Sequence, residues 1–321
     1  MKKAPIIIAH RGASAYLPEH SLAAKAMAHA MGADFIEQDV VLSRDGVPMV
    51  LHDIHLETTT DVVLCYPHRA RADGRYYAID FTVHELRQLR LHERTTLDAS
   101  GREVAVYPGR FPLQATPFAI PTLAEEIDLI AGLDHSRGCR TGLYVELKSP
   151  LWHLEQGLDI ASTVLEVLAD KGYADRCEQV FLQCFEPRTL RRLKHELKTP
   201  LPLIQLVAEN DWGEDGNADY DQLRTAAGLS DIAGYADGIG PWLMHIYRGV
   251  DASGQPVLSE LVELAHERGL QVHPYTLRRD ELPAGVESFD QLLDILVTQA
   301  GVDGFFTDFP DLARQFLQDH R

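Results

Sequence analysis

Residues 142–207 decide the fold. They contain GLYVEL (Gly142–Leu147), DIASTVLEVLADK (Asp159–Lys171), QVFLQ (Gln179–Gln183), PRTLRRLKHEL (Pro187–Leu197) and LIQLV (Leu203–Val207). The first, third and fifth pieces are short and apolar, as strands are. The second and fourth are built from helix formers; Gly172 stops one and Pro187 opens the other. Strand, crossover helix and return to a parallel neighbour is the βαβ rhythm.

The rhythm continues in both directions. Upstream, Ile6–Ala9 reads as a strand and His20–Ala30 as a helix. Asp34–Leu42 holds a second strand, FIEQDVVL, with Glu37 and Asp39 on one face. Met49–Leu51 is a short extended piece after the turn Asp45–Gly46. Downstream, strands are predicted at Asp237–Gly240, Val272–Tyr275 and Gly304–Thr307. Helices are predicted at Thr122–Ile130, Leu258–Arg268, Phe289–Gln299 and Pro310–Gln318. About eight units predict an α/β fold of the (β/α)₈ TIM-barrel type. A doubly wound open sheet, usually with fewer units, is the alternative. The rhythm breaks between Asp53 and Pro121, where polar runs, prolines and one capped helix (Thr82–Leu91, with Glu85 at N3) stand. The expectation is one barrel domain over 1–321 with an inserted subdomain at 53–121, between early barrel elements.

Charge narrows the function. The 321 residues carry 30 Lys and Arg against 48 Asp and Glu, a net −18 that repels a nucleic-acid backbone or an acidic membrane. Cys65, Cys139, Cys177 and Cys184 form no CxxC pair and read as free thiols. No Gly-x-Gly-x-x-Gly, P-loop or Gly-x-Ser-x-Gly motif is present. Ile6–Ala9 is too short for a signal h-region or a membrane span. As written, the chain reads as cytoplasmic; an exported protein read without its leader would look the same.

In a barrel, chemistry sits at the C-terminal ends of the strands. Those positions hold His10 and Arg11, Glu37 and Asp39, His52 and Asp53, Glu146 and Lys148, Gln183 and Phe185, His273 and Tyr275, and Thr307 and Asp308. Glu37, Asp39 and Glu146 would repel one another unless a hard divalent cation joined them. The competing reading has them solvated, or paired with Lys148 or Arg11. His10 and His52 suit general acid–base work near neutrality, which phosphodiester cleavage requires. Arg11 and Lys148 would clamp phosphoryl oxygens. Among the aromatics Trp152, Phe185, Trp212, Trp242 and Tyr275, Phe185 and Tyr275 are assigned to substrate; loop packing is the alternative. Arg110 is an open candidate for substrate contact. His20 is read as a helix-terminal hydrogen-bonding group. Asp211, Glu214, Asp215, Asp219 and Asp221 are read as solvated surface.

Together these residues form a signature. The motifs Ile8-Ala-His-Arg-Gly-Ala13, Pro18-Glu-His-Ser21, Gly32–Val40, Val50-Leu-His-Asp53, Tyr144–Lys148 and Gly301–Pro310 resemble the glycerophosphodiester phosphodiesterase family. The long segment after His52 is similar to that of its larger bacterial, periplasmic-type members. The resemblance implies a barrel with calcium or magnesium held by Glu37, Asp39 and Glu146. It also implies His10 and His52 as acid and base, and Arg11 and Lys148 on phosphate. The implied reaction is hydrolysis of small glycerophosphodiesters, such as glycerophosphocholine or glycerophosphoethanolamine, to sn-glycerol 3-phosphate and an alcohol. That places the chain in glycerol and lipid metabolism, with no stable membrane association. Alternatives are a phospholipase D-type lipid phosphodiesterase and a non-catalytic phosphate- or sugar-binding barrel. The first would need an exposed apolar loop, which the polar insertion does not lead one to expect.

Overall fold

The computed structural model describes residues 4–113, 116–214 and 217–320. Eight parallel strands succeed one another: β1 (Ile6–Ala9), β2 (Phe35–Leu42), β3 (Gly142–Leu147), β4 (Val180–Cys184), β5 (Leu203–Val207), β6 (Gly238–Pro241), β7 (Gln271–Val272) and β8 (Gly304–Thr307). From β1 to β7 each pairs with the next, and β8 pairs with β1. The last gap is spanned by Asp303 N–H to Val272 O (3.1 Å), Phe306 N–H to Pro274 O (3.0 Å) and Leu277 N–H to Phe306 O (2.8 Å). The barrel predicted from the alternation is therefore the fold.

The outer layer begins with α1 (Leu22–Ala30), capped by the Ser21 side chain on Ala24 N–H. The next long helix, α2 (Leu123–Arg137), opens with a capping box in which Thr122 and Glu125 each accept from the other's backbone N–H. Behind β2 these helices bring together a fully buried ion pair, Lys25 Nζ to Glu126 Oε1 at 3.0 Å. Lys25 also donates to the carbonyl of Glu37, and Gln38 ties Glu126 to the Tyr144 N–H. Unpaired charge is costly inside a protein, so the set locks β2 against both helices.

The barrel interior is filled. Ile8, Phe35, Tyr144, Phe181, Ile204 and Phe306 form a cluster along its axis. Phe35 needs Gly142 opposite it in register, because a Cβ there would lie 2.2 Å from the ring. His273 joins this floor: its Nδ1 meets the Tyr144 hydroxyl at 2.9 Å, and burial lowers its pKa to about 4. Of the strand-end candidates, His273 is thus a core residue.

Between β2 and β3 the chain builds a separate cluster from Leu56, Val62, Phe81, Leu86 and Leu91, closed against Val41 and Met49. Here two expectations are corrected. The helix predicted over Thr82–Leu91 spans only Val83–Leu86, although its Thr82/Glu85 capping box is as expected. Leu91 N–H instead donates to Phe118 O at 2.9 Å and Leu91 bridges Thr60, which a continued helix would forbid. The insertion also does expose apolar side chains: Leu64 is 83% and Leu97 69% exposed. No helix among the described residues is long and apolar enough to cross a membrane.

Candidate active site

The alternation of each strand sends every second side chain into the barrel. Asp39 is in register with Glu146, and Glu146 with Gln183. One step below, Glu37 is level with Tyr144, and Tyr144 with Phe181. The axis therefore changes from aromatic floor to carboxylate roof within two residues of each strand.

A cavity of about 350 Å³ opens above this roof. It is lined by His10, Arg11, Glu37, Asp39, His52 and Glu146, and by the aromatics Phe185, Trp212, Trp242 and Tyr275. Of the predicted site residues, Lys148 is not in the lining but stands beside it. Its Nζ is 2.7 Å from Glu146 Oε1 and 3.5 Å from His52 Nε2. Trp152 belongs elsewhere: it stacks on Tyr77 of the insertion, ring centres 5.6 Å apart.

The two histidines are held alike. His10 Nδ1 donates to Asp308 Oδ1 at 2.6 Å and His52 Nδ1 to Asp53 Oδ1 at 2.5 Å. Such a bond fixes the tautomer with the proton on Nδ1, and the Nε2 of His52 meets Lys148 Nζ at 3.5 Å. Burial is the largest influence on both and lowers their pKa values. For His10 the result is about 4, with Arg11 lowering and Asp308 opposing. For His52, Arg11 and Lys148 add to the lowering.

Arg11 takes a positive φ of 59°, and its N–H donates to Glu37 Oε2 at 2.6 Å. Gly12 follows at φ 93°, where a Cβ would lie 2.8 Å from the Ala24 carbonyl carbon. The Arg-Gly step thus turns the chain against α1 and aims Arg11 back over the roof. There its Nη1 meets Glu19 Oε2 at 2.9 Å, and its Nε stands 3.5 Å from Asp39.

His20, Glu37 and Asp39 offer ligand atoms within 4.8 Å of one another. His20 stands at the start of α1, just before the Ser21 cap, and is buried with its Nε2 2.8 Å from Asp39 Oδ2. Burial and the neighbouring Asp39 push the Glu37 carboxyl well up. Burial also works to raise Asp39, but His52, His20 and Lys148 outweigh it and hold Asp39 well below its usual range. Asp39 Oδ1 is buried without a hydrogen-bond partner among the described residues. Two adjacent buried carboxylates, one with a free oxygen, could hold a hard divalent cation; Glu146, in register with Asp39, is not among the groups that converge and is bonded by Lys148.

Several contributors escaped the sequence reading. Glu19 is joined by Arg94 of the insertion, at 2.6 Å, and Arg94 also holds Asp53 at 2.7 Å. Arg278 Nε lies 2.7 Å from Asp308 Oδ2. Glu214, predicted as solvated surface, lines the cavity 4.0 Å from Lys148 Nζ. Asp215 lies outside the described residues. Arg110 is engaged by Asp280 and Asp308 at 2.8 Å each.

The sequence matches the glycerophosphoryl diester phosphodiesterase family over residues 10–312. The chain belongs to this family. It is 41% identical to a glycerophosphodiester phosphodiesterase of Haemophilus influenzae, over 99% of this chain and 91% of that protein. A Treponema pallidum protein of the same name is 38% identical, over 97% and 91%. In fold it is similar to an Oleispira antarctica phosphodiesterase solved with the product sn-glycerol-3-phosphate. That match has a TM-score of 0.65 and 21% identity, covering 98% of this chain and 97% of the other. Membership bears out the resemblance carried by the His-Arg-Gly, Glu-x-Asp and His-Asp motifs, and with it the reading of the chain as a glycerophosphodiester phosphodiesterase.

Proposed function

We propose that the protein hydrolyses small glycerophosphodiesters to sn-glycerol 3-phosphate and an alcohol at the cavity above the barrel roof. One observation carries this reading. Two imidazoles, each fixed through Nδ1 by a carboxylate, face a single cavity that also holds paired buried carboxylates and a guanidinium.

Glu37, Asp39 and Glu146 would hold the divalent cation, calcium or magnesium, with Lys148 free to release Glu146 toward it. Bound there, the cation would supply Lewis acidity to a phosphoryl oxygen and an attacking hydroxyl. Arg11 and Lys148 pair with the phosphoryl oxygens and oppose their growing charge. His10, neutral at pH 7, accepts at Nε2 the proton of the attacking hydroxyl; where that is the glycerol 2-hydroxyl, the cyclic phosphate formed is then opened by water, whose proton and the ring oxygen's are moved by the same two histidines. His52 donates to the leaving alcohol. Burial lowers the His52 pKa in the free protein, and Arg11 and Lys148 add to that lowering. An anionic phosphate paired with them removes their share of it, so substrate binding itself favours the imidazolium that Asp53 then supports. Phe185 and Tyr275, ring centres 6.0 Å apart, form an apolar wall for the carbon skeleton. The partner is thus a small molecule, as the net −18 also favours over nucleic acid.

Separate roles are tested by the pH dependence of kcat/KM in His10→Ala and His52→Ala. Each should lose about 10²–10⁴-fold, with the acidic limb flattened in the first and the basic limb in the second. Loss of the same limb in both would contradict the assignment.

A further inference from the structure

A second cavity, of about 180 Å³, meets the first across His10, Arg11, His52 and Arg278. Its far wall belongs to the insertion and includes Glu93, Arg94, Tyr107 and Arg110. None of Glu37, Asp39 and Glu146 reaches it. Viewed from the histidines, the molecule has a carboxylate side and an insertion side.

The arginines around this second cavity are engaged. Arg11 and Arg94 share Glu19, and Arg94 also takes Asp53. Arg110 and Arg278 share Asp308, with Asp280 and Glu281 beyond. Glu93 is different. It is 4% exposed, it lines the cavity, and its Oε2 has no hydrogen-bond partner among the described residues. A buried carboxylate without a partner is costly and unusual. Burial pushes its pKa up to about 8, Glu19 adding to the rise and Arg110 opposing it.

We propose that this second cavity receives the leaving alcohol, and that Glu93 selects alcohols carrying an ammonium group, such as choline or ethanolamine, over neutral ones. The inference rests on the phosphodiesterase reading above. In a displacement at phosphorus the attacking and leaving oxygens lie roughly in line. With the attacking hydroxyl on the carboxylate side, the leaving alcohol points to the insertion side. An ammonium two carbons from that oxygen would face the Glu93 Oε2, which no group bonds among the described residues. The ring of Tyr107 is already covered by Arg110, 3.7 Å from its centre, so it is Glu93 that remains for the headgroup.

The test compares kcat/KM for glycerophosphocholine, glycerophosphoethanolamine and the neutral glycerophosphoglycerol, in the cation-loaded protein and in Glu93→Gln. The amide keeps the shape of the carboxyl but cannot ionise when an ammonium comes to lie beside it. The two ammonium substrates should lose about tenfold or more, chiefly through KM, with little change for the neutral one. Equal loss on all three, or no change on any, would overturn the inference. A second readout avoids the variant: choline should inhibit the unaltered protein at lower concentration than its neutral isostere 3,3-dimethyl-1-butanol. Equal inhibition would overturn the inference too. Turnover of all three diesters without discrimination would sink the headgroup role alone. Turnover of none by folded, cation-loaded protein would sink the phosphodiesterase reading and this inference with it.

Discussion

The floor and the roof of the barrel are made by the same strands, two residues apart, and they obey opposite physics. On β2 the inward positions run Phe35, Glu37, Asp39; on β3, Gly142, Tyr144, Glu146; on β4, Phe181, Gln183. Below, apolar rings pack edge to face, as Phe35 does on Phe181 with centres 5.1 Å apart. Above, like charges are held together in a buried place, which the fold tolerates only because other groups surround them. The histidines make the same contrast. His273 in the floor bonds Tyr144, while His10 and His52 in the roof bond carboxylates and line the cavity. The floor thus contributes stability, and the roof is destabilising in itself and contributes function.

That division can be broken deliberately. The largest effect is expected in the roof. Glu37→Gln keeps the shape and an acceptor for the Arg11 N–H but removes a charge. It should lower kcat/KM by about 10³-fold while leaving the thermal midpoint near or above that of the parent. A large drop in midpoint, read by circular dichroism, would mean that Glu37 is structural. In the floor the signs reverse. Phe181→Ala should cost about 3–5 kcal/mol in denaturant unfolding, with kcat per folded molecule little changed. Behind the roof, Lys25→Met removes one member of the fully buried pair with Glu126 and should cost about 3 kcal/mol by the same measurement. Gly142→Ala pushes a methyl into the Phe35 ring and should cost about 1–3 kcal/mol. The smallest effect, Asp308→Asn, should weaken the hold on His10 and reduce kcat by less than removing the imidazole does, with KM nearly constant.

Much of this was legible in the sequence, for a physical reason. Strand and helix periodicity are local, so the alternation around Gly142–Val207 was enough to predict the barrel. Strand ends converge in any barrel, so His10, Glu37, Asp39, His52 and Glu146 could be brought together without coordinates. What stayed hidden depends on long-range pairing. Asp308 lies 298 residues from His10, and Arg94 reaches Glu19 from the insertion across 75. Glu93 has no local pattern at all; its interest is that its buried Oε2 has no hydrogen-bond partner among the described residues. His20 does stand at the start of α1, but no local pattern shows the positive φ of 61° that turns its ring inward onto Asp39. The helix at Thr82 was cut short because Leu91 was drawn into backbone pairing with Phe118.

The central claim is that the roof carboxylates become a working centre when a cation joins them. The most direct measurement is release of sn-glycerol 3-phosphate from glycerophosphocholine by chelator-treated protein, titrated with calcium and separately with magnesium, beside Glu37→Gln. The account predicts almost no release after chelation, saturable recovery in the parent with at least one of the two ions, and no comparable recovery in the variant. Undiminished release in excess chelator, or equal recovery in the variant, would contradict it.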